Sequence, residues 1–254
     1  MAKQAAAAGV EERLTAIDTI YKDFGDDSIS ILGHGKIHKV DVISTGAFAI
    51  DNMLGIGGVP RGRVTEIYGP ESCGKTTLCQ HIVAEAQALG LRAAYVDSEH
   101  AIDPGYMTAT GIDIDKLWVA QPDNGEKALG MVDRLCMSGE FGLVIVDSVP
   151  MLTPQAEIEG EMGDAQIGAL ARLMGKGMRK ITPHAGETKT AVVFINQIRD
   201  KIGVMYGSPE TTPGGRALRF QASVRVDMRK RDAMKGSDKE IVGNITHLKT
   251  VKNK

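Results

Sequence analysis

Gly69-Pro70-Glu71-Ser72-Cys73-Gly74-Lys75-Thr76 is a complete G-x-x-x-x-G-K-[ST] phosphate loop, set between Val64-Thr65-Glu66-Ile67-Tyr68 and Leu78-Cys79-Gln80-His81-Ile82-Val83. That order predicts strand, loop, helix. Gly69 and Gly74 let the backbone curl without Cβ clashes, so consecutive N–H groups and the helix N-terminus converge on phosphate oxygens. Lys75 then reaches the β/γ-phosphates, and Thr76 can ligate Mg²⁺. At ordinary glycine usage, four specified positions match by chance in about one chain in a hundred of this length. Fewer such matches fall between a strand and a helix, so the sequence reads as one that binds a nucleoside triphosphate.

From residue 64 onward short apolar runs alternate with longer amphipathic segments. Strands are expected at 64–68, 92–97, 117–120, 143–147 and 191–196, and helices at 75–89, 104–110, 125–138 and 166–181. The alternation predicts an α/β fold, a parallel sheet covered on both faces with its chemistry at the C-terminal strand ends. Three strands end in polar groups: Asp97 followed by Glu99, Asp147 followed by Ser148, and Asn196 followed by Gln197. After residue 217 the alternating runs 218–226 and 245–248 predict antiparallel strands that extend this sheet. Upstream, Val10, Leu14, Ile17, Tyr21 and Phe24 recur at helical spacing, predicting an amphipathic helix over 3–24. The stretch around Gly33-His34-Gly35-Lys36 reads as a linker, which leaves that helix free to pack on its own core or on a neighbouring subunit. Residues 153–165 and 198–216 show neither period, and loops this long inside a compact domain are usually functional or disordered.

The 254 residues are 43% hydrophobic and only 4% aromatic, so aliphatic residues and Met must fill the core. No apolar stretch approaches 18 residues and residues 1–10 lack the features of a secretion signal, so the expected location is the cytoplasm. Cys73, Cys79 and Cys136 are odd in number with no C-x-x-C pair, which argues against a disulfide framework or a zinc site. Cys73 lies inside the phosphate loop, where a variable loop position is the plainer reading and a redox-sensitive thiol the sharper one. The net charge of −2 hides an asymmetry: residues 1–195 hold 17 Lys/Arg against 26 Asp/Glu, and residues 196–254 hold 13 against 6. A basic final quarter suggests a polyanion site, with a solvated charged face as the alternative. Arg199, Lys201 and Gly214-Gly215-Arg216 fall within it, and bare backbone N–H groups beside guanidinium groups suit phosphate oxygens.

Transfer of a phosphoryl group from ATP to water needs Mg²⁺, a phosphate cradle and a group that orients the water. Asp147 ends an apolar strand and is the expected Mg²⁺ group acting through water, while Thr76 supplies the direct hydroxyl. Glu99, two residues beyond the neighbouring strand, is the candidate general base, with Asp97 and Asp103 as rivals. Gln197 is placed to feel the γ-phosphate, or else simply to cap its strand.

Gly-Pro-Glu-Ser-Cys-Gly-Lys-Thr-Thr-Leu (69–78), Val-Asp-Ser-Glu-His-Ala-Ile-Asp-Pro (96–104), Val-Ile-Val-Asp-Ser-Val (144–149), Leu-Thr-Pro-Gln-Ala-Glu-Ile-Glu-Gly-Glu-Met-Gly-Asp (152–164), Phe-Ile-Asn-Gln-Ile-Arg (194–199) and Pro-Glu-Thr-Thr-Pro-Gly-Gly (209–215) together resemble the bacterial RecA recombinase family. The resemblance runs in order from about residue 10 to the end. It implies a P-loop NTPase core and a DNA-dependent ATPase that coats single-stranded DNA as a filament, pairs it with a homologous duplex and exchanges strands. That places the chain in DNA recombination, repair and the SOS response.

By resemblance, Glu99 is the hydrolytic base and Gln197 the γ-phosphate sensor. The nucleotide contacts become Gly69, Pro70, Glu71, Ser72, Cys73, Gly74, Lys75, Thr76 and Thr77, with Asp103 and Tyr106 beside the adenine. Segments 153–165 and 198–216 become two DNA-binding loops. DNA contacts are implied for Gly175 and Arg179 after the first, and for Arg199, Ile202, Gly214, Gly215 and Arg216 in the second. Ile167 and Ile202 become wedges between base triplets, where the plain reading makes them core. The N-terminal helix docks on the next protomer, and Lys252 and Lys254 reach across the interface to its ATP. A LexA-type repressor is a further partner the family allows. The implied domains are 1–32, oligomerisation helix and linker, and 33–254, the ATPase core.

The sequence departs from the family in four places. Cys73 stands where the family has Ser, Arg216 where it has Asn, and His247 where it has Arg. The family also continues into further core strands and a separate C-terminal domain, whereas this sequence stops at Lys254. An incomplete chain and a core that closes differently are both open on this reading, and missing strands would expose a sheet edge. A ring-forming helicase with the same nucleotide core and a DNA-binding fragment without efficient hydrolysis are the rival functions.

Overall fold

The computed structural model describes residues 16–26, 28–31, 40–161, 168–200 and 209–254. The chain divides into two compact units, 1–39 and 40–254. In the first, residues 16–24 form helix α1, which ends where Gly25 turns left-handed and donates its N–H to Tyr21. The expected positions 3–15 of that helix lie outside the described residues.

The second unit begins with a small hairpin-like pair, β1 (Val42–Ile43) and β2 (Val59–Pro60), around helix α2 (Phe48–Leu54). Then follow β3 (Val64–Gly69), α3 (Lys75–Ala88), β4 (Arg92–Asp97), α4 (Pro104–Ala109), β5 (Leu117–Ala120), α5 (Gly125–Ser138) and β6 (Phe141–Asp147). The remainder is α6 (Gln155–Glu159), α7 (Ala169–Thr188), β7 (Ala191–Gln197), β8 (Arg199–Asp200), β9 (Glu210–Thr211), α8 (Ala217–Gln221), β10 (Val224–Lys235) and β11 (Ile241–Asn253). Seven strands make one sheet in the order β11-β10-β3-β7-β6-β4-β5, in which only β11 runs antiparallel to its neighbour. The expected mostly parallel α/β sheet with an antiparallel extension is therefore the fold, and β10 joins it parallel to β3.

Strand alternation builds two cores. On one face Ile67, Tyr95, Ile145, Val193 and Ile195 meet Leu78, Cys79, Ile82 and Val83 of α3. On the other Val96, Val144, Val146, Val192 and Phe194 meet Val132 of α5 and Met174, Met178 and Ile181 of α7. The central strands are buried on both faces, as helices on each side of a parallel sheet demand.

Four expectations need correction. Residues 155–159, expected as loop, are helical, and Gln155 inside this turn accepts from Asn124 and donates to Glu159. The helix expected to end at 181 runs to Thr188: Pro183 removes one intrahelical donor, yet burial of Ile181 and Ala185 carries the helix past it. The alternating run 218–226 is not one strand. Residues 217–221 form α8, because Leu218 and Ala222 pack into the core beside α7, and the strand starts only at Val224. Within 198–216, β8 and β9 pair as antiparallel strands, Arg199 opposite Thr211.

Candidate nucleotide site at the C-terminal strand ends

The phosphate loop leaves β3 and enters α3 through Gly74, whose φ of 92° is left-handed and whose position carries no side-chain cap. Nothing stands within 4 Å of a Cβ built on Gly74, so it is the left-handed backbone and not crowding that favours glycine there. At Gly69 the constraint is opposite: a Cβ would lie 2.0 Å from the Met228 carbonyl of β10. Glycine is therefore required at one end by crowding from the sheet and at the other by backbone hand. Lys75 Nζ donates to the Gly69 and Pro70 carbonyls at 3.1 and 2.6 Å. Cys73 is buried under the loop, and Thr246 of β11 donates to its carbonyl at 3.2 Å.

Thr76 Oγ1 donates to Asp147 Oδ2 at 2.9 Å, and Tyr95 donates to the same oxygen at 2.7 Å. Burial pushes the Asp147 carboxyl up to about 6; the two hydroxyls pull it down, and the charges of Glu99 and Asp97 raise it further. Burial and the Asp147 charge likewise raise the Tyr95 phenol, so it stays a donor. These residues fit Mg²⁺ bound jointly with phosphates: a hydroxyl at the helix start and a carboxylate directly behind it, on a loop whose first N–H groups have no side-chain cap. Among the described residues no three His, Cys, Asp or Glu side chains converge as a metal cage.

Glu99 lies at the exposed rim and accepts from Ser148 Oγ through Oε1. The two rivals are occupied. Asp97 accepts from the Glu99 and Ala101 N–H groups and from Gln121, and Asp103 caps α4 by accepting from Gly105 and Tyr106. Tyr106 places its hydroxyl 3.2 Å from Thr77 Oγ1, joining the start of α4 to the start of α3. Gln197 pairs in register with Gly69, directly beside the loop. The structure thus gathers Lys75, Thr76, Thr77, Asp147, Glu99, Tyr106 and Gln197 around one end of the sheet.

The residues expected to meet DNA lie on adjoining elements. Arg179 is exposed on α7, and Gly175 precedes it by one turn with open space over its Cα. Gly214 and Gly215 are both left-handed, and a Cβ on them would press against Val149 and Met174 or lie 2.7 Å from Ala171 Cβ. They seat the end of the second loop on α7. Arg216 occupies the N-cap of α8 and is exposed, as is Arg199. Ile167 and Ile202 lie outside the described residues. Lys252 Nζ donates to the Arg219 and Phe220 carbonyls at 2.9 and 2.7 Å, so within this chain it caps the end of α8. Lys254 is exposed and donates its backbone N–H to Ser223. His247 sits opposite Arg229 in the β10–β11 pair.

Sequence reasoning missed a buried polar network below the site. Glu66 is wholly buried and pairs with Arg225, which also lies 4.6 Å over the Tyr68 ring. Nearby, Arg229 binds both Glu210 oxygens at 2.7 and 2.6 Å and Asp227 at 2.6 Å, tying β9 to β10. The one available signal was a Glu inside an otherwise apolar strand, Val-Thr-Glu-Ile-Tyr, which demands a buried cation.

Comparison with known proteins agrees with this geometry. The family model described as RecA N-terminal domain matches residues 12–254. Protein RecA of Clostridium acetobutylicum is 55% identical over 247 residues, covering 96% of this chain and 70% of that protein. Protein RecA of Rubrobacter xylanophilus is 55% identical over 240 residues, covering 94% and 70%, and that of Heliobacterium modesticaldum is 55% identical over 241 residues, covering 94% and 69%.

Proposed function

Because the chain belongs to the RecA family, whose work is DNA recombination and repair and whose members are DNA-dependent ATPases, we propose that it hydrolyses ATP with Mg²⁺ while assembled as a filament on single-stranded DNA. Homologous pairing with duplex DNA and strand exchange follow from that assembly. The observation that carries the reading is the Thr76–Asp147 contact beside the phosphate loop, with Glu99 held by Ser148 across the same strand ends. Bound Mg·ATP supplies the phosphoryl group and the positive charge that balances its oxygens.

The chain's own residues do the rest. The α3 N-terminus and loop N–H groups bind the phosphates, for which Lys75 exchanges its two carbonyl partners. Asp147 orients the Thr76 hydroxyl toward the metal. Ser148 aims Glu99, which takes the proton from the attacking water. Gln197 senses the γ-phosphate beside Gly69 and passes its presence into segment 198–216. In this reading Gly175, Arg179, Arg199, Gly214, Gly215 and Arg216 hold the DNA backbone, and Ile167 and Ile202 enter between bases. Residues 1–32 serve assembly and 33–254 the chemistry, in the cytoplasm; the acidic body and basic final quarter suit a partner with phosphate charge. A LexA-type repressor would be read by the assembled filament. Among the described residues, no helix is long and apolar enough to cross a membrane.

One contact favours a subordinate reading. Lys252, expected to act on a neighbour's ATP, is held by carbonyls of its own chain, so hydrolysis waits for an assembly that frees it. Steady-state ATP turnover with and without single-stranded DNA tests both. Stimulation by DNA is expected; DNA binding that persists with no stimulated turnover would leave a DNA-binding chain without recombinase hydrolysis.

A further inference from the structure

Asn196 and Gln197 are consecutive at the end of β7 and point to different tasks. Gln197 faces the phosphate loop through its pairing with Gly69. Asn196 is wholly buried, and its amide uses both donors and accepts once. Nδ2 donates to Glu66 Oε1 at 2.8 Å and to the Pro213 carbonyl at 3.2 Å, while Oδ1 accepts the Gln197 N–H at 2.9 Å. Glu66 Oε1 takes the donor end of the amide, while the buried Arg225 pairs with its other oxygen. One orientation of Asn196 therefore satisfies all three partners.

Pro213 immediately precedes Gly214-Gly215, which are wedged against Val149, Met174 and Ala171. Segment 198–216 is thus held at its start by the chain leaving Gln197 and at its end by the Asn196 amide. A shift of the β7 end by even part of an ångström must be taken up at both attachments, because a buried amide that loses a partner pays the full desolvation cost.

We propose that Asn196, oriented by Glu66 and Arg225, is the positioning residue that ties the Pro213 end of segment 198–216 to Gln197 and so couples nucleotide occupancy to DNA affinity. This rests on the reading of 198–216 as a DNA-binding segment and of Gln197 as the γ-phosphate sensor. Asn is the residue type required: Asp has no donor for Glu66 and would place two carboxylates together, and Leu would leave the Pro213 carbonyl and Glu66 without a donor.

Coupling is a factor, reciprocal between the two ligands, and it separates this role from simple structural support. The test measures binding of a dye-labelled oligothymidine with and without a non-hydrolysable ATP analogue and Mg²⁺, in the parent chain, Asn196→Ala and Asn196→Ser. Serine keeps a polar side chain but ends one bond short of the Nδ2 position from which Asn196 reaches both Glu66 and Pro213. Both variants are expected to keep DNA affinity without nucleotide, and analogue affinity without DNA, within about twofold. The tightening of DNA binding by the analogue should fall by at least about fivefold, within the usual range of coupling factors. Folded variants with undiminished tightening would overturn the proposal, and so would loss of a cooperative thermal transition in both, which would make Asn196 a folding residue. A parent chain whose DNA affinity ignores the analogue would instead overturn the proposed function itself.

Discussion

Asp147 shows at one residue how the site sets stability against function. Its carboxyl titrates near 6 in the folded chain against an ordinary 3.8, chiefly because it is buried. Between those values the folded chain keeps a proton that the unfolded chain releases, so this group's contribution to stability falls as pH rises through the window. Asp147→Asn should therefore stabilise the nucleotide-free chain at pH 7, by up to about 3 kcal/mol on a shift of this size, and so raise its thermal midpoint. The same substitution should weaken Mg²⁺-dependent nucleotide binding; calorimetry with and without Mg·ATP reads both, and a lower midpoint at pH 7 would contradict the argument. In the parent chain, protons compete with the metal, so Mg·ATP affinity should drop as pH falls below about 6. At Glu99 the expectation is kinetic. Glu99→Gln keeps the acceptor for Ser148 and loses the base, so ATP and DNA binding should persist while turnover falls by about 10²- to 10⁴-fold. An unaltered hydrolysis rate would remove Glu99 from the chemistry.

Helix α7 carries the clearest contrast between elements, because two glycines expected to serve DNA stand in opposite surroundings. Gly175 lies mid-helix with open space over its Cα, so alanine there should stabilise the fold by about 0.5–1 kcal/mol through backbone entropy alone. If the backbone at Gly175 approaches a phosphate, the same change should weaken DNA binding; rising midpoint with falling affinity is the expected signature. Gly214, left-handed and pressed on Val149 and Met174, should lose about 1–3 kcal/mol on substitution by alanine. Thermal denaturation of the two variants distinguishes a glycine kept for a ligand from one kept for packing. Element types were legible in the sequence wherever period and flanking polarity agreed, as for the strands around Asp97 and Asp147. Run 218–226 misled because its alternation is equally compatible with a short helix that buries Leu218 and Ala222. The helix expected to end at 181 instead runs on through Pro183, since burial on the sheet outweighs one lost backbone bond.

Across the whole chain the charge is polar: an acidic body carries a basic final quarter. Binding that releases counterions from a polyanion must weaken with salt, by about one unit of slope per neutralised phosphate. Arg199→Ala should thus lower affinity for single-stranded DNA and shrink the salt slope by about 1. An unchanged slope, measured by titration at several salt concentrations, would take Arg199 off the phosphates. The sequence by itself determined the α/β class, the phosphate loop and the acidic groups at strand ends, because each is a local pattern of period, hand or charge. Only the tertiary structure decided how Gly69 meets β10, why Asp97 and Asp103 are spent on turns while Glu99 is held by Ser148, and how Glu66, Asn196 and Arg225 join three strands beneath the site. Those are contacts between residues up to 159 positions apart, made by burial that local periodicity does not encode.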